Sequence, residues 1–235
     1  MDKVALVTGA SRGLGAELAR FLSGLGHHVV VSARHRAALE ETAAGLPGDA
    51  TVVDGDVADA GDRDRLVAAV RGLGRLDLLV NNASELGPSP LPALADHPLT
   101  DLRGVMETNL VAPIALVQSL LPLLRASHGL VVNISSDAAR GGYEGWGGYG
   151  ASKAALDLVS LTLAHELSGD GISVVSVDPG DMRTEMHQAA FPGEDISDRP
   201  EPAASVPGLL ALITGDRPSG RYEARASVPE EARQP

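Results

Sequence analysis

Short apolar blocks alternate with longer stretches of helical period along most of the chain. Val4-Ala5-Leu6-Val7 is a continuous apolar run of strand length, and Leu14, Leu18, Phe21 and Leu22 then recur on one helical face between Gly13 and Leu25. The same reading predicts further strands over Val29–Val31, Thr51–Val53, Leu76–Val80, Leu130–Ile134, Ile172–Val177 and Arg221–Ala226. Between them it predicts helices over Arg36–Gly45, Leu66–Val70, Leu99–Leu124, Trp146–Leu167 and Ala203–Ile213. Strands that are apolar throughout belong to sheets covered on both faces, and strand-helix alternation with right-handed crossovers makes such a sheet parallel. The expected fold is α/β, a single doubly wound Rossmann-like domain over residues 1–228. A parallel sheet of about seven strands carries helices on both faces, and residues 229–235 form a disordered tail.

Composition narrows the function. The chain of 235 residues has a formal net charge of −12, which disfavours nucleic acid and anionic membranes as partners. It has no run of 18 apolar residues, no signal-peptide layout at Met1-Asp2-Lys3 and no cysteine, so the expectations are no membrane span and a cytoplasmic location. The seven histidines are scattered, and no metal site is expected.

Two stretches carry chemistry. Thr8-Gly9-Ala10-Ser11-Arg12-Gly13-Leu14-Gly15 leaves the first strand and opens the first helix, the context in which a glycine turn presents backbone amides to a pyrophosphate. Further on, Tyr149 and Lys153 are four residues apart and share a helical face, while a glycine-rich loop lets Ser136 return towards them. A Tyr-x-x-x-Lys pair alone fits a helix start as well as a site. Composition decides here: Lys3 and Lys153 are the only lysines, and every other basic side chain except histidine is arginine. A phenol beside that ammonium is expected to exchange a proton below its ordinary pKa of about 10.

With these motifs in this order, the chain resembles the classical short-chain dehydrogenase/reductase family from about Lys3 to Ala226. The glycines are spaced Gly-x-x-x-Gly-x-Gly, Asn81-Asn82-Ala83 ends the fourth strand, and Asn109 lies in the long helix. Asn133-Ile134-Ser135-Ser136 ends the fifth strand, and Asp178-Pro179-Gly180 follows the sixth and leads through Met182 to Thr184. The resemblance implies catalytic roles for Asn109, Ser136, Tyr149 and Lys153. It implies a nicotinamide dinucleotide held by Gly9, Ser11, Arg12, Gly13, Leu14 and Gly15, by Asp56-Val57, and by Asn82 and Ala83. Pro179, Gly180, Met182 and Thr184 complete that set, together with Tyr149 and Lys153. In such a site Ser136 holds the substrate oxygen, and Asn109 supports a water linking Lys153 to solvent. The chain departs from the family in Ser84, in a compact Pro-rich segment after Thr184 apparently without a helical lid, and in its last strand, Ser219-Gly220-Arg221-Tyr222.

Charge selects the nucleotide. The second strand ends Ser32-Ala33-Arg34-His35-Arg36, with no acid before Glu40 to hold a ribose 2′-hydroxyl. Arg12 and Arg34 form a clamp for a 2′-phosphate unless both are simply solvated, so the expected cofactor is NADP(H). Arg36 is expected in solvent and Asp54 in a structural role.

The expected activity is hydride transfer between nicotinamide and the carbonyl or alcohol carbon of a small or medium metabolite, with Tyr149 as acid/base. A non-catalytic NADP(H) sensor or scaffold is the alternative, which loss of Tyr149 or Lys153 would have marked. A longer-branch epimerase or dehydratase would need more chain. Glu85, Asp137 and Glu144 lie on loops beyond strands four and five and mark either a solvated surface or a substrate mouth, with Tyr143 and Trp146 beside them. His187 and Phe191 line a pocket or pack a loop. The resemblance also implies a homodimer or homotetramer, with helix Trp146–Leu167 giving a subunit face.

Overall fold

The computed structural model describes residues 3–215 and 218–226, so the predicted tail at 229–235 lies outside the described residues. Seven strands form one parallel sheet in the order β3-β2-β1-β4-β5-β6-β7. They are β1 (Val4–Thr8), β2 (His28–Ala33), β3 (Ala50–Asp54), β4 (Leu78–Asn81), β5 (Leu130–Ile134), β6 (Ser173–Asp178) and β7 (Gly220–Glu223). The helices are α1 (Gly13–Gly24), α2 (Arg36–Ala44), α3 (Ala60–Gly72), α4 (Leu99–Met106), α5 (Ala112–Ser127), α6 (Gly147–Glu166), α7 (Glu185–Ala190) and α8 (Val206–Thr214).

Strands β1 to β6 feed two cores, because successive side chains leave a strand on opposite faces. Ala5 and Val7 of β1 pack with Leu14, Leu18 and Leu22 of α1 and with Leu209 and Leu212 of α8. Val4 and Leu6 pack on the other face with Leu66 and Val70 of α3 and Leu116, Leu120 and Leu124 of α5. This is why continuous apolar runs were needed. The strand order reverses between β1 and β4, and in such sheets ligands bind at that point, beyond the carboxyl ends of the strands.

Several bounds differ from the sequence pattern: β4 starts at Leu78 and not Leu76, α3 spans Ala60–Gly72 and not Leu66–Val70, and β7 spans Gly220–Glu223 and not Arg221–Ala226. Two further features depart from it. The long helix is broken by a π-helical turn over Glu107–Val111, which carries the buried Asn109. Such turns are rare and frequent at functional sites. The whole run Leu99–Ser127 is long and apolar enough to cross a membrane by length and composition. Leu116, Leu120 and Leu124 of that run are nonetheless buried in the core, so its apolar face is already used. The segment after Thr184 is not without helix: Thr184 caps α7 by accepting a hydrogen bond from the His187 N–H at 3.1 Å. The pattern missed it because six residues are too few to show a period.

The last strand is held by close backbone approach. A Cβ added at Gly208 in α8 would lie 1.7 Å from the Ala224 carbonyl oxygen just past β7. Gly208→Ala is therefore expected to push α8 off β7, with the roughly 1–3 kcal/mol typical of overpacking. At about 2–4 °C per kcal/mol for a chain of this size, calorimetry should show a loss of several degrees in Tm. An unchanged Tm would mean that this contact is slack.

Candidate active site

Three side chains meet beyond the ends of β5 and β6. Tyr149 sits in the first turn of α6 and Lys153 one turn later, and both are buried, at 8% and 2% exposure. Lys153 Nζ donates to the Ile134 carbonyl at 2.9 Å and lies 5.5 Å from the centroid of the Tyr149 ring. The hydroxyls of Ser136, just past β5, and Ser84 are the polar side chains that act most on the Tyr149 phenol. The Ser136 hydroxyl also donates to Asp137 Oδ1 at 3.0 Å and accepts from the Ala138 N–H at 3.1 Å. What brings α6 onto this turn is glycine. A Cβ on Gly150 would stand 2.6 Å from the Ala138 carbonyl, and one on Gly148 would stand 2.7 Å from the His97 ring. The glycines thus work by allowing contact within the helix as much as by loosening the loop before it.

The electrostatics differ from the sequence expectation. The Tyr149 phenol is pushed up to about 12, not down, and burial is the largest cause. The neighbouring hydroxyls of Ser84 and Ser136 pull it back, while the charges of Asp178 and Asp137 push it further up. Lys153 is pushed down to about 8, again by burial first, with Asp157 one turn along opposing the fall. The ammonium is turned to a backbone carbonyl, and desolvation of the phenol outweighs its attraction. At neutral pH the phenol is protonated.

Asn109 is buried, and its side-chain amide is fully engaged. Its Nδ2 donates to the Glu85 carbonyl and to Ser152 Oγ, both at 2.9 Å, and its Oδ1 accepts from the Glu85 N–H at 2.7 Å and Ser84 Oγ at 3.2 Å. It clamps the loop after β4 to α6, and so presents Ser84 to the phenol. Sequence reasoning missed Ser84 as a site residue and noted it only as a departure. Ser135 is buried with an unpartnered hydroxyl, and it contributes to the lining of both cavities that meet at this centre.

A groove of about 530 Å³ runs from this centre along the strand ends. The glycine turn gives it Gly9, Ser11, Arg12, Gly13 and Leu14, β2 gives Arg34, and the segment after β3 gives Asp56 and Val57. Asn82, Ala83, Pro179, Met182 and Thr184 line it further along, with Tyr149 and Lys153 at its inner end. Two predicted cofactor residues lie elsewhere. Gly15 packs beneath the turn, where a Cβ would meet the Gly9 carbonyl at 2.3 Å, and Gly180 lines the neighbouring cavity. The turn itself fits a dinucleotide. Gly9 has φ +65, a Cβ there would lie 2.8 Å from Ala83 Cα, and the first turn of α1 has no acid to repel a phosphate. Asn82 braces it, donating to the carbonyls of Thr8 at 2.9 Å and Gly9 at 3.1 Å.

Both clamp arginines reach the groove, and each is held by a glutamate. Arg12 pairs with Glu185, and Arg34 pairs with Glu85 at 3.5 Å. Arg36 is exposed and paired with Glu40 and Asp54, as a surface residue should be.

A second cavity of about 400 Å³ opens on the other side of the phenol. Leu86, Ala138, Met186 and Phe191 give it apolar walls, Trp146 stands edge-on to Tyr149 at 5.6 Å, and Ser136 faces in. His187 and Phe191 both line it and also pack on each other, their rings tilted by 38° with centroids 4.9 Å apart. Asp137, Glu144, Asp178 and Asp181 are its carboxylates. Glu85 is not among them. Asn109 holds the Glu85 backbone so that its carboxylate lies on the groove side with Arg34. Among the described residues no group of His, Asp and Glu is arranged to hold a metal ion.

Comparison with known proteins accords with this geometry. The family model described as short chain dehydrogenase matches residues 3–195. A short-chain dehydrogenase/reductase, FrzI of a Cladobotryum species, is 37% identical over 229 residues, covering 91% of this chain and 87% of its own. A short chain dehydrogenase structure from Pseudomonas syringae superposes with TM-score 0.87 at 34% identity, over 94% of both chains. Another, from Shigella flexneri and complexed with NADP, gives TM-score 0.86 at 31% identity over 95% of this chain and 97% of that one. The chain belongs to the short-chain dehydrogenase/reductase family of oxidoreductases.

Proposed function

We propose that this chain is an NADP(H)-dependent reductase of carbonyl groups in small or medium metabolites, with Tyr149 as its acid/base. One observation carries the reading: the Tyr149 phenol lines both the dinucleotide groove and the second cavity, with Ser136 and Lys153 beside it. A nicotinamide dinucleotide in the groove would supply the hydride. The chain's own residues handle the proton. A substrate oxygen next to Ser136 is within reach of a phenol kept protonated at neutral pH by burial, so as the carbonyl carbon gains hydride its oxygen can take the Tyr149 proton. A protonated phenol favours the reductive direction. Lys153 would hold ribose hydroxyls and stabilise the phenolate left behind.

The 2′-phosphate reading rests on Arg12 and Arg34. Their present ion pairs are exposed, and such pairs are worth about 0–1 kcal/mol. A phosphate would contribute charge-assisted hydrogen bonds worth roughly 1.5–3 kcal/mol each, so exchange of glutamate for phosphate is favourable. The NADP complex of the Shigella flexneri relative supports the same choice. For assembly we propose a cytoplasmic homodimer or homotetramer, supported by the exposed Leu158 and Leu161 on α6.

The second cavity favours a substrate without negative charge. Four carboxylates line it and, among the described residues, no Lys or Arg does; Arg183, close in sequence, pairs with Glu201 on the groove side. An anionic ketone would meet like charges at a partly desolvated site, whereas an amine-bearing one would meet carboxylates and aromatic faces.

Three measurements test these proposals. Tyr149→Phe is expected to lose at least about 10²-fold in kcat while still binding nucleotide, and Lys153→Arg to fail as well, since a planar guanidinium does not replace the ammonium. Near-normal turnover by either variant would end the acid/base assignment. Fluorescence titration should show NADPH bound well ahead of NADH, with Arg34→Asp losing about tenfold or more for NADPH only; equal affinities in the wild type would return both arginines to solvent. In a panel of size-matched ketones followed by NADPH consumption, cationic and neutral polyhydroxylated members should outrun carboxylates. A preference for carboxylates would overturn the charge argument and leave the reductase reading intact.

A further inference from the structure

Arg221 is the least exposed arginine in any ion pair, at 12%, and none of the motifs above accounts for it. It enters from β7 at the sheet edge and reaches inward. Its Nε donates to Asp157 Oδ2 at 2.8 Å, and its Nη2 donates to the Ser136 carbonyl at 3.0 Å. The same Nη2 lies 3.6 Å from Asp178 Oδ2 at the end of β6, and Nη1 lies 3.8 Å from Glu223. Asp157 in turn follows Lys153 by four residues on α6, one turn along the same face. Asp157 Oδ1 is buried and has no hydrogen-bond partner, so Arg221 is what compensates that carboxylate.

We propose that Arg221 is a positioning residue for the Ser136–Tyr149–Lys153 centre, tying the ends of β5, β6 and β7 to α6 and fixing, through Asp157, the charge that Lys153 feels. The guanidinium suits this because its planar fork serves a carboxylate and a carbonyl in two directions at once, which a lysine ammonium on a flexible stem would not do. Removing it leaves two nearly buried carboxylates, Asp157 and Asp178, with less compensation on either side of Ser136. The departure of the last strand from the family's frequent ending therefore has a use. Gly208, through its contact with Ala224, keeps β7 where Arg221 can reach.

The charged and titratable groups around the centre come from several elements. Tyr149 and Asp157 lie on α6, Asp137 after β5, Asp178 on β6, Glu85 after β4 and Arg221 on β7. Of these, Asp157 is the charge that holds the Lys153 proton affinity up against burial. Neutralising Asp157 should therefore lower the Lys153 midpoint, and removing Arg221 should raise it.

Lysine labelling makes this directly measurable, because Lys3 and Lys153 are the only lysines and give two side-chain signals. The inference rests on the proton-transfer reading of Ser136, Tyr149 and Lys153, but the titration is run by NMR on the full chain without nucleotide or substrate. The wild-type Lys153 signal should titrate near 8. In Asp157→Asn it should move down by roughly half a unit or more, and in Arg221→Met it should move up. A role confined to holding the fold would move Tm and leave both midpoints in place. In turnover, Arg221→Met should lose about tenfold or more in kcat with KM for NADPH little changed, because a small misplacement of reacting groups costs rate. Arg221→Lys should recover only part of that loss. Identical Lys153 midpoints in wild type and Arg221→Met would overturn the proposal, and if Arg221→Met does not fold, full wild-type kcat in Arg221→Lys would overturn it. Shifted midpoints in a protein that reduces no carbonyl compound would overturn the reductase reading and not this one.

Discussion

Taking an ammonium out of water, and leaving it without an ion-pair partner among the described residues, is the constraint on which the end of the sheet depends. Lys153 has one hydrogen bond, to the Ile134 carbonyl, and its fall from 10.5 to about 8 corresponds to roughly 3 kcal/mol of lost preference for the charged form. The phenol beside it is desolvated in the opposite sense, which keeps the proton on oxygen. Both shifts come from one physical cause and leave an ammonium and a neutral phenol side by side. Such a pair is ready to lose the phenolic proton once a neighbouring oxygen gains charge. Water admitted here would relax both groups towards their ordinary values and remove the bias.

Excluding that water is a packing problem, and backbone contact solves it. Gly150 lies on the Ala138 carbonyl, Gly148 on His97, and Gly15 on the Gly9 carbonyl. A methyl group would press on a backbone carbonyl at Gly150 and Gly15 and on the His97 ring at Gly148. The same closeness lets Asn109, on its π-helical turn, reach the backbone of Glu85 and the Ser152 hydroxyl together. A regular helix would advance the following residues differently, so the local widening and the clamp belong to one arrangement.

Much of this was legible in the chain. Continuous apolar strands imply a doubly covered sheet, and β5 was read to the residue because Gly129 and Ser135 bound a mostly apolar run interrupted only by Asn133. The glycine turn, Tyr149 and Lys153 were legible because their spacing is local, within one turn of chain. What was not legible depends on distances between segments far apart in sequence. The direction of the Tyr149 shift depends on burial, which spacing does not report. Glu85 looked like a member of the substrate mouth until the clamp from Asn109 turned it to Arg34. Ser84 read as a departure, and Arg221 as part of an unusual last strand. These contacts span from 24 residues of sequence, between Glu85 and Asn109, to 85, between Arg221 and Ser136.

Ion pairs of two kinds surround the centre, and their burial suits them to different work. Arg12 with Glu185, and Arg34 with Glu85, are exposed across the mouth of the groove, so each contributes little to stability and can be exchanged at little cost. Arg221 with Asp157 and Asp178 is almost fully enclosed, where breaking a pair strands a charge in a poor solvent. Pairs of the first kind can give way to an incoming anion; a pair of the second kind holds its geometry while that happens. Equal compensation at both places would have failed. Buried pairs at the groove would resist a phosphate, and exposed pairs behind Ser136 would let the carbonyl, the phenol and the ammonium drift relative to one another. On the proposed reading, the exposure of Arg12, Arg34 and Arg221 follows the division between what must open and what must stay fixed.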